Sequence, residues 1–99
     1  MKKFAMMLLN PLFEPEEHMA LFLTGNIENY IFTVRNEKEA LDKTKDLVKQ
    51  GFGVLELCGA FDEKLVQEIY AASEGKLCIG HVVYPPEQEE ALQEYWESQ

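Results

Sequence analysis

The sequence predicts an α/β fold: a small sheet with a parallel βαβαβ core, an N-terminal strand and hairpin, and a C-terminal helix. Three observations carry that prediction. Apolar runs of strand length, Val54–Cys58 and Leu77–Tyr84, each follow a stretch whose apolar residues recur at helical spacing. Each helical stretch opens on a capping residue and closes on a glycine. The connections are short, so successive strands must run the same way and be joined by right-handed crossover helices.

The chain begins with Phe4-Ala5-Met6-Met7-Leu8-Leu9, a continuous apolar run that stops at Asn10-Pro11. That pattern fits a strand covered on both faces. Asn10 to Glu17 is a loop with two prolines. The next stretch admits two readings. Met19–Thr24 and Ile27–Val34, joined by Gly25-Asn26, read as a hairpin, with Tyr30, Phe32 and Val34 on one face of the second arm. Alternatively, Glu16–Thr24 is a short helix opened by Pro15 or Glu16 and ended by Gly25. The hairpin is preferred.

Asn36-Glu37-Lys38-Glu39 has the form of a capping box, with Asn36 as N-cap and Glu39 reaching back. Ala40, Leu41, Thr44, Leu47 and Val48 form the stripe of the helix that follows, and Gly51 closes it. After the Val54–Cys58 strand, Asp62 caps a second helix with Leu65, Val66, Ile69 and Tyr70 on its stripe, closed by Gly75. Pro85-Pro86 opens a last helix, with Ala91, Leu92, Tyr95 and Trp96 expected on its inner side and Tyr30, Phe32, Tyr70, Tyr95 and Trp96 expected in the core. Two crossovers in the same direction put both helices on one sheet face. The other face needs a cover: the last helix, the hairpin or another subunit. The expectation is a homo-oligomer.

Ninety-nine residues make a single domain, residues 1–99. Apolar residues at 46% and charged residues at 27% are an ordinary globular balance. A net charge of −9 with no basic patch argues against nucleic-acid phosphates and anionic membranes as partners. Glu87, Glu89, Glu90, Glu94 and Glu97 concentrate the acidity near the end, which reads first as a solvated helix face and second as a dock for a basic partner. The apolar run after Lys2-Lys3 is too short for a secretory or membrane-spanning segment, so the expected location is the cytoplasm. Cys58 and Cys78 suit that compartment as free thiols rather than a disulfide.

In open α/β sheets ligands sit beyond the carboxyl ends of the strands. A pocket there would be lined by His18, Cys58, Gly59, Ala60, Phe61 and His81. The Cys58-Gly59-Ala60-Phe61 turn leads directly into a capped helix, where free N–H groups suit an anion; a compact strand-to-helix connection is the plainer reading. Glu56 interrupts an apolar strand. A covered carboxylate there must be paired or take up a proton, which would suit a general acid or base. Its plainer reading is a charge in a wet crevice or at a subunit interface. His81 is the other candidate base, and is otherwise a satisfied structural histidine. Cys58 could be activated at a helix start, although a buried structural cysteine is the simpler reading. No spacing of His, Cys, Asp or Glu supports a metal site, and no phosphate-loop or dinucleotide motif is present, so no cofactor is expected.

Several segments together resemble one family. Phe4-Ala5-Met6-Met7, Glu14-Pro15-Glu16-Glu17-His18, Ile31-Phe32-Thr33-Val34-Arg35, Glu56-Leu57-Cys58-Gly59-Ala60-Phe61 and Gly75-Lys76-Leu77-Cys78-Ile79-Gly80-His81-Val82 are similar to a family of small prokaryotic proteins of this length, known as a domain of unknown function. The resemblance spans nearly the whole chain and implies a compact bacterial α/β protein; it implies no catalytic assignment. Two functions follow as expectations. One is a binding protein or minor enzyme for a small polar metabolite, with Glu56 or His81 as base and the Gly59–Phe61 amides holding negative charge. The other is a non-catalytic homo-oligomeric assembly module with Glu56 as an interface charge.

Overall fold

The computed structural model describes residues 1–98. The elements run β1 (Lys2–Leu9), β2 (Ala20–Thr24), β3 (Ile27–Val34), α1 (Glu37–Lys49), β4 (Val54–Leu57), α2 (Glu63–Ser73), β5 (Cys78–His81) and α3 (Pro86–Glu97). The strands form one five-stranded sheet in the order β2-β3-β1-β4-β5. β1 is parallel to both β3 and β4, β4 is parallel to β5, and only β2 is antiparallel, to β3. The fold class is therefore the one the sequence predicts, with the hairpin rather than the short helix at residues 20–34. Gly25 turns that hairpin with a positive φ of 60°, and Asn26 needs none, as a two-residue turn with glycine first requires.

Three details differ from expectation. β3, β4 and β5 are parallel, but β3 and β4 do not lie side by side, because β1 is inserted between them. The last strand is only Cys78–His81; Val82–Tyr84 leave the sheet as an extended connection. The third difference is α3, which buries no residue and leaves Tyr95 and Trp96 68% and 74% exposed. Of the four residues expected on its inner side only Leu92 is partly covered, and Tyr70 on α2 is exposed too.

The sequence reasons for the two core helices hold in detail. Asn36 Oδ1 accepts the Glu39 N–H at 2.9 Å, and Gly51 ends the turn after α1 at φ 81°. Asp62 Oδ1 accepts the Leu65 N–H at 2.8 Å to start α2. Glu39 reaches back one residue beyond the usual capping-box partner, accepting the Arg35 N–H at 2.9 Å. The two helices pack against each other and against one sheet face. Ala5 and Met7 of β1, Phe32 and Val34 of β3, and Leu55 and Leu57 of β4 point into that layer with Ala40, Leu47, Leu65 and Ile69. Thr44, fully buried among them, is satisfied by donating to the Ala40 carbonyl at 2.8 Å.

Because side chains alternate along a strand, the opposite face carries Phe4, Met6 and Leu8 of β1, Ile31 of β3, Phe22 of β2, and Val54 and Glu56 of β4. No helix covers it. Phe22 and Glu56 are exposed, and Phe4, Met6, Ile31 and Val54 are half-buried by their own neighbours. The protruding α3 stretches the molecule to 41 × 27 × 25 Å with a radius of gyration of 14.2 Å, where about 13 Å is usual for this length.

Candidate functional site

The four parallel strands end on one rim, at Leu9, Val34, Leu57 and His81. The residues expected to form a pocket there are dispersed over it. Glu56 pairs with Gly80 and Leu57 with His81 across β4 and β5. Glu56 and His81 therefore project from opposite faces of the sheet. Glu56 lies on the uncovered face, where its Cγ comes within 3.5 Å of the place a Cβ on Gly80 would take; the missing side chain makes room for it. His81 lies on the helix face, and its Nε2 is buried without a hydrogen-bond partner.

His18 sits at the far side of the rim. Its carbonyl accepts from Thr33 Oγ1 at 2.7 Å, and its Nδ1 accepts the Glu14 N–H at 2.8 Å. Its ring packs edge-on against Phe13 with 5.8 Å between centroids. It pins the loop before β2 to β3. From β3 to β5, where His81 stands, are three strand spacings, about 14 Å. The turn after β4 is compact: the Phe61 N–H donates to the Cys58 carbonyl at 3.2 Å, and the Cys58 N–H donates to Met7 at 3.1 Å. The Phe61 amide is thus already used. Its ring is 1% exposed and belongs to the core. Ala60 is exposed, and Gly59 faces the Val82–Tyr84 connection, with Tyr84 Cε1 3.7 Å from the place of a Cβ. Cys58 packs against the core and Cys78 is exposed; both thiols are free.

The rim does hold a groove, at its other end. An open depression of about 920 Å³ lies between the Glu14–Met19 loop and α1, floored by Phe32–Arg35 of β3 and its continuation. Arg35, the single arginine of the chain, joins this groove to a shallower one over Leu9 and Pro11. Arg35 Nε and Glu39 Oε2 are 3.0 Å apart. This hydrogen bond holds the Glu39 carboxyl below the ordinary glutamate range, and the same carboxylate raises Arg35. Lys43 Nζ stands 3.9 Å above the centre of the Phe32 ring. Six carboxylates line the larger groove against two cations, Arg35 and Lys43, so its field favours cationic groups over anions. Sequence reasoning missed this groove. The available signal was the Arg35–Glu39 spacing, a helix-start ion pair four residues apart.

Among the described residues no three His, Cys, Asp or Glu side chains gather closely enough to hold a metal ion. Among them, too, no helix is long and apolar enough to cross a membrane. Glu56 and His81 stand on opposite faces of the sheet, and the Phe61 amide is spent within its own turn. Beside the unpartnered His81 Nε2, two apolar surfaces lack a full cover: the sheet face opposite α1 and α2, and the Tyr95–Trp96 side of α3. No curated protein and no solved structure matches the chain. One family model does, over residues 2–97, which is nearly the full length, and it places the chain in DUF6506, a family of unknown function.

Proposed function

We propose that this protein is a non-catalytic self-assembly module of the cytoplasm, and that a second copy covers the bare face of its sheet. The observation that supports the reading is the one-sided architecture. α1 and α2 cover one face, while Phe4, Met6, Ile31 and Val54 on the other stay outside the core cluster and are only partly buried. Parallel sheets are ordinarily buried on both faces, and contiguous apolar patches on a soluble chain mark interaction sites. The free thiols of Cys58 and Cys78 suit a reducing compartment. In this reading Glu56 is an interface charge rather than a catalytic base.

Sedimentation equilibrium across the micromolar range tests the reading. The native chain is expected to show a multiple of the monomer mass. Met6→Lys is expected to weaken association at least about 100-fold, because an unpaired charge enters the interface once from each copy. Met6 is partly buried outside the core cluster, and native far-UV circular dichroism of the variant checks that its fold is kept. A native monomer at every concentration would refute the proposal.

A further inference from the structure

We infer that the element covering the bare sheet face is α3 of the second copy, exchanged reciprocally across a two-fold axis. This rests on the self-assembly reading and adds which part of the partner makes the contact.

The helix is built for a docking it does not make within its own chain. Ala91, Leu92, Tyr95 and Trp96 fall on one side at helical spacing. Glu87, Glu90, Glu94 and Glu97 fall on the opposite side. Seating the apolar side therefore leaves those carboxylates in water. Yet no residue of α3 is fully buried: Leu92 is partly covered, Ala91 is exposed, and the exposed Tyr95 and Trp96 rings stack edge-on against each other, 5.1 Å between centroids. The connection that leads to it is fixed at several points. Val82 donates its N–H to Leu57 at 2.9 Å, the Tyr84 ring packs over Gly59, and Pro85 continues extended at ψ 150° into a helix opened by Pro86. Proline at both positions stiffens that exit.

Size, area and charge all fit a second copy. A helix of 12 residues is about 18 Å long and lies along β1, whose 8 residues span about 26 Å. At 150–250 Å² for an aromatic side chain, the exposed parts of Tyr95 and Trp96 offer about 300 Å² per helix. Matched by sheet surface and doubled by symmetry, this is about 1,200 Å², where stable interfaces begin. In a two-fold pair with antiparallel strands, α3 leaves its own rim beside the partner's strand starts. That end carries Lys2 and Lys3, beside a Lys76 that is paired with Glu74 at 4.0 Å, and the first turn of α3 carries Glu87 and Glu89. The long-range charges are therefore complementary.

Trp96 is the single tryptophan, so emission from the full-length chain reports on α3 alone. The experiment follows mass and Trp96 emission together over a dilution series, for the native chain, Leu92→Asp and Glu94→Gln. The expected result is a blue shift that rises with the dimer fraction. Leu92→Asp should weaken association about 30-fold or more and keep the emission red, while Glu94→Gln should behave as native. Because α3 contributes no buried residue, Leu92→Asp should keep the native circular dichroism of the sheet and core helices. A dimer whose Trp96 stays red, or one that persists in Leu92→Asp, would overturn the exchange and leave sheet-face association standing. A monomer would overturn both; a blue-shifted monomer would show α3 folded back on its own sheet.

Discussion

Phe61→Ala is expected to destabilise the folded chain by about 3–5 kcal/mol, the usual loss for emptying a fully buried phenylalanine site. In a domain of this size that lowers Tm by roughly 15–30 °C. The ring is 1% exposed and packs in the layer between α1, α2 and the sheet, and its amide closes the turn onto Cys58. Denaturant titration checks the prediction through a lowered midpoint at unchanged slope. A loss below about 1 kcal/mol would be a surface-like response, and would return Phe61 to the rim as a residue available to a ligand.

Glu56→Leu is expected to act in the opposite direction, on assembly. Glu56 is exposed in the single chain, amid Met6, Val54 and Gly80 on the bare face. When a second copy covers that face, the carboxylate loses water, which costs free energy unless a partner charge meets it. A leucine removes that cost and adds apolar area, and the space over Gly80 admits it. Association is expected to tighten about tenfold or more, equivalent to about 1.4 kcal/mol or greater. Concentration-dependent sedimentation of the variant beside the native chain measures this. An unchanged association constant would place Glu56 outside the interface.

What could be read from the sequence was local. The Asn36 and Asp62 caps, the Gly51 stop and the buried stripes of Ala40–Leu47 and Leu65–Ile69 depend on residues within a few positions of one another. The structure shows each of them. The insertion of β1 between β3 and β4 depends on contacts between residues more than twenty positions apart, and the apolar run Phe4–Leu9 carries no mark of its neighbours. The opposite facing of Glu56 and His81 was out of reach for the same reason. Strand alternation fixes each face only once the β4–β5 register is known, and two apolar strands leave that register open. For α3 the spacing of Leu92, Tyr95 and Trp96 was read as an inner side, yet Tyr95 and Trp96 are exposed, because amphipathicity does not specify what covers an apolar side. The groove at Arg35 was hidden differently, since its walls come from a loop and a helix that sequence order keeps apart.

Met6 and Met7 give the most direct measurement of the central claim. They are neighbours in β1 that point to opposite faces. Met7 is fully buried under the helices, whereas Met6 is only partly buried, on the opposite face. Peroxide converts an accessible thioether to its sulfoxide, so oxidation rates at the four methionines, followed by peptide mass spectrometry over a concentration series, report which surfaces become covered. Oxidation of Met6 is expected to slow as protein concentration rises, while exposed Met1 and Met19 react equally at every concentration and Met7 stays protected. A Met6 rate that holds constant across the series would mean that nothing covers the sheet, contradicting the account.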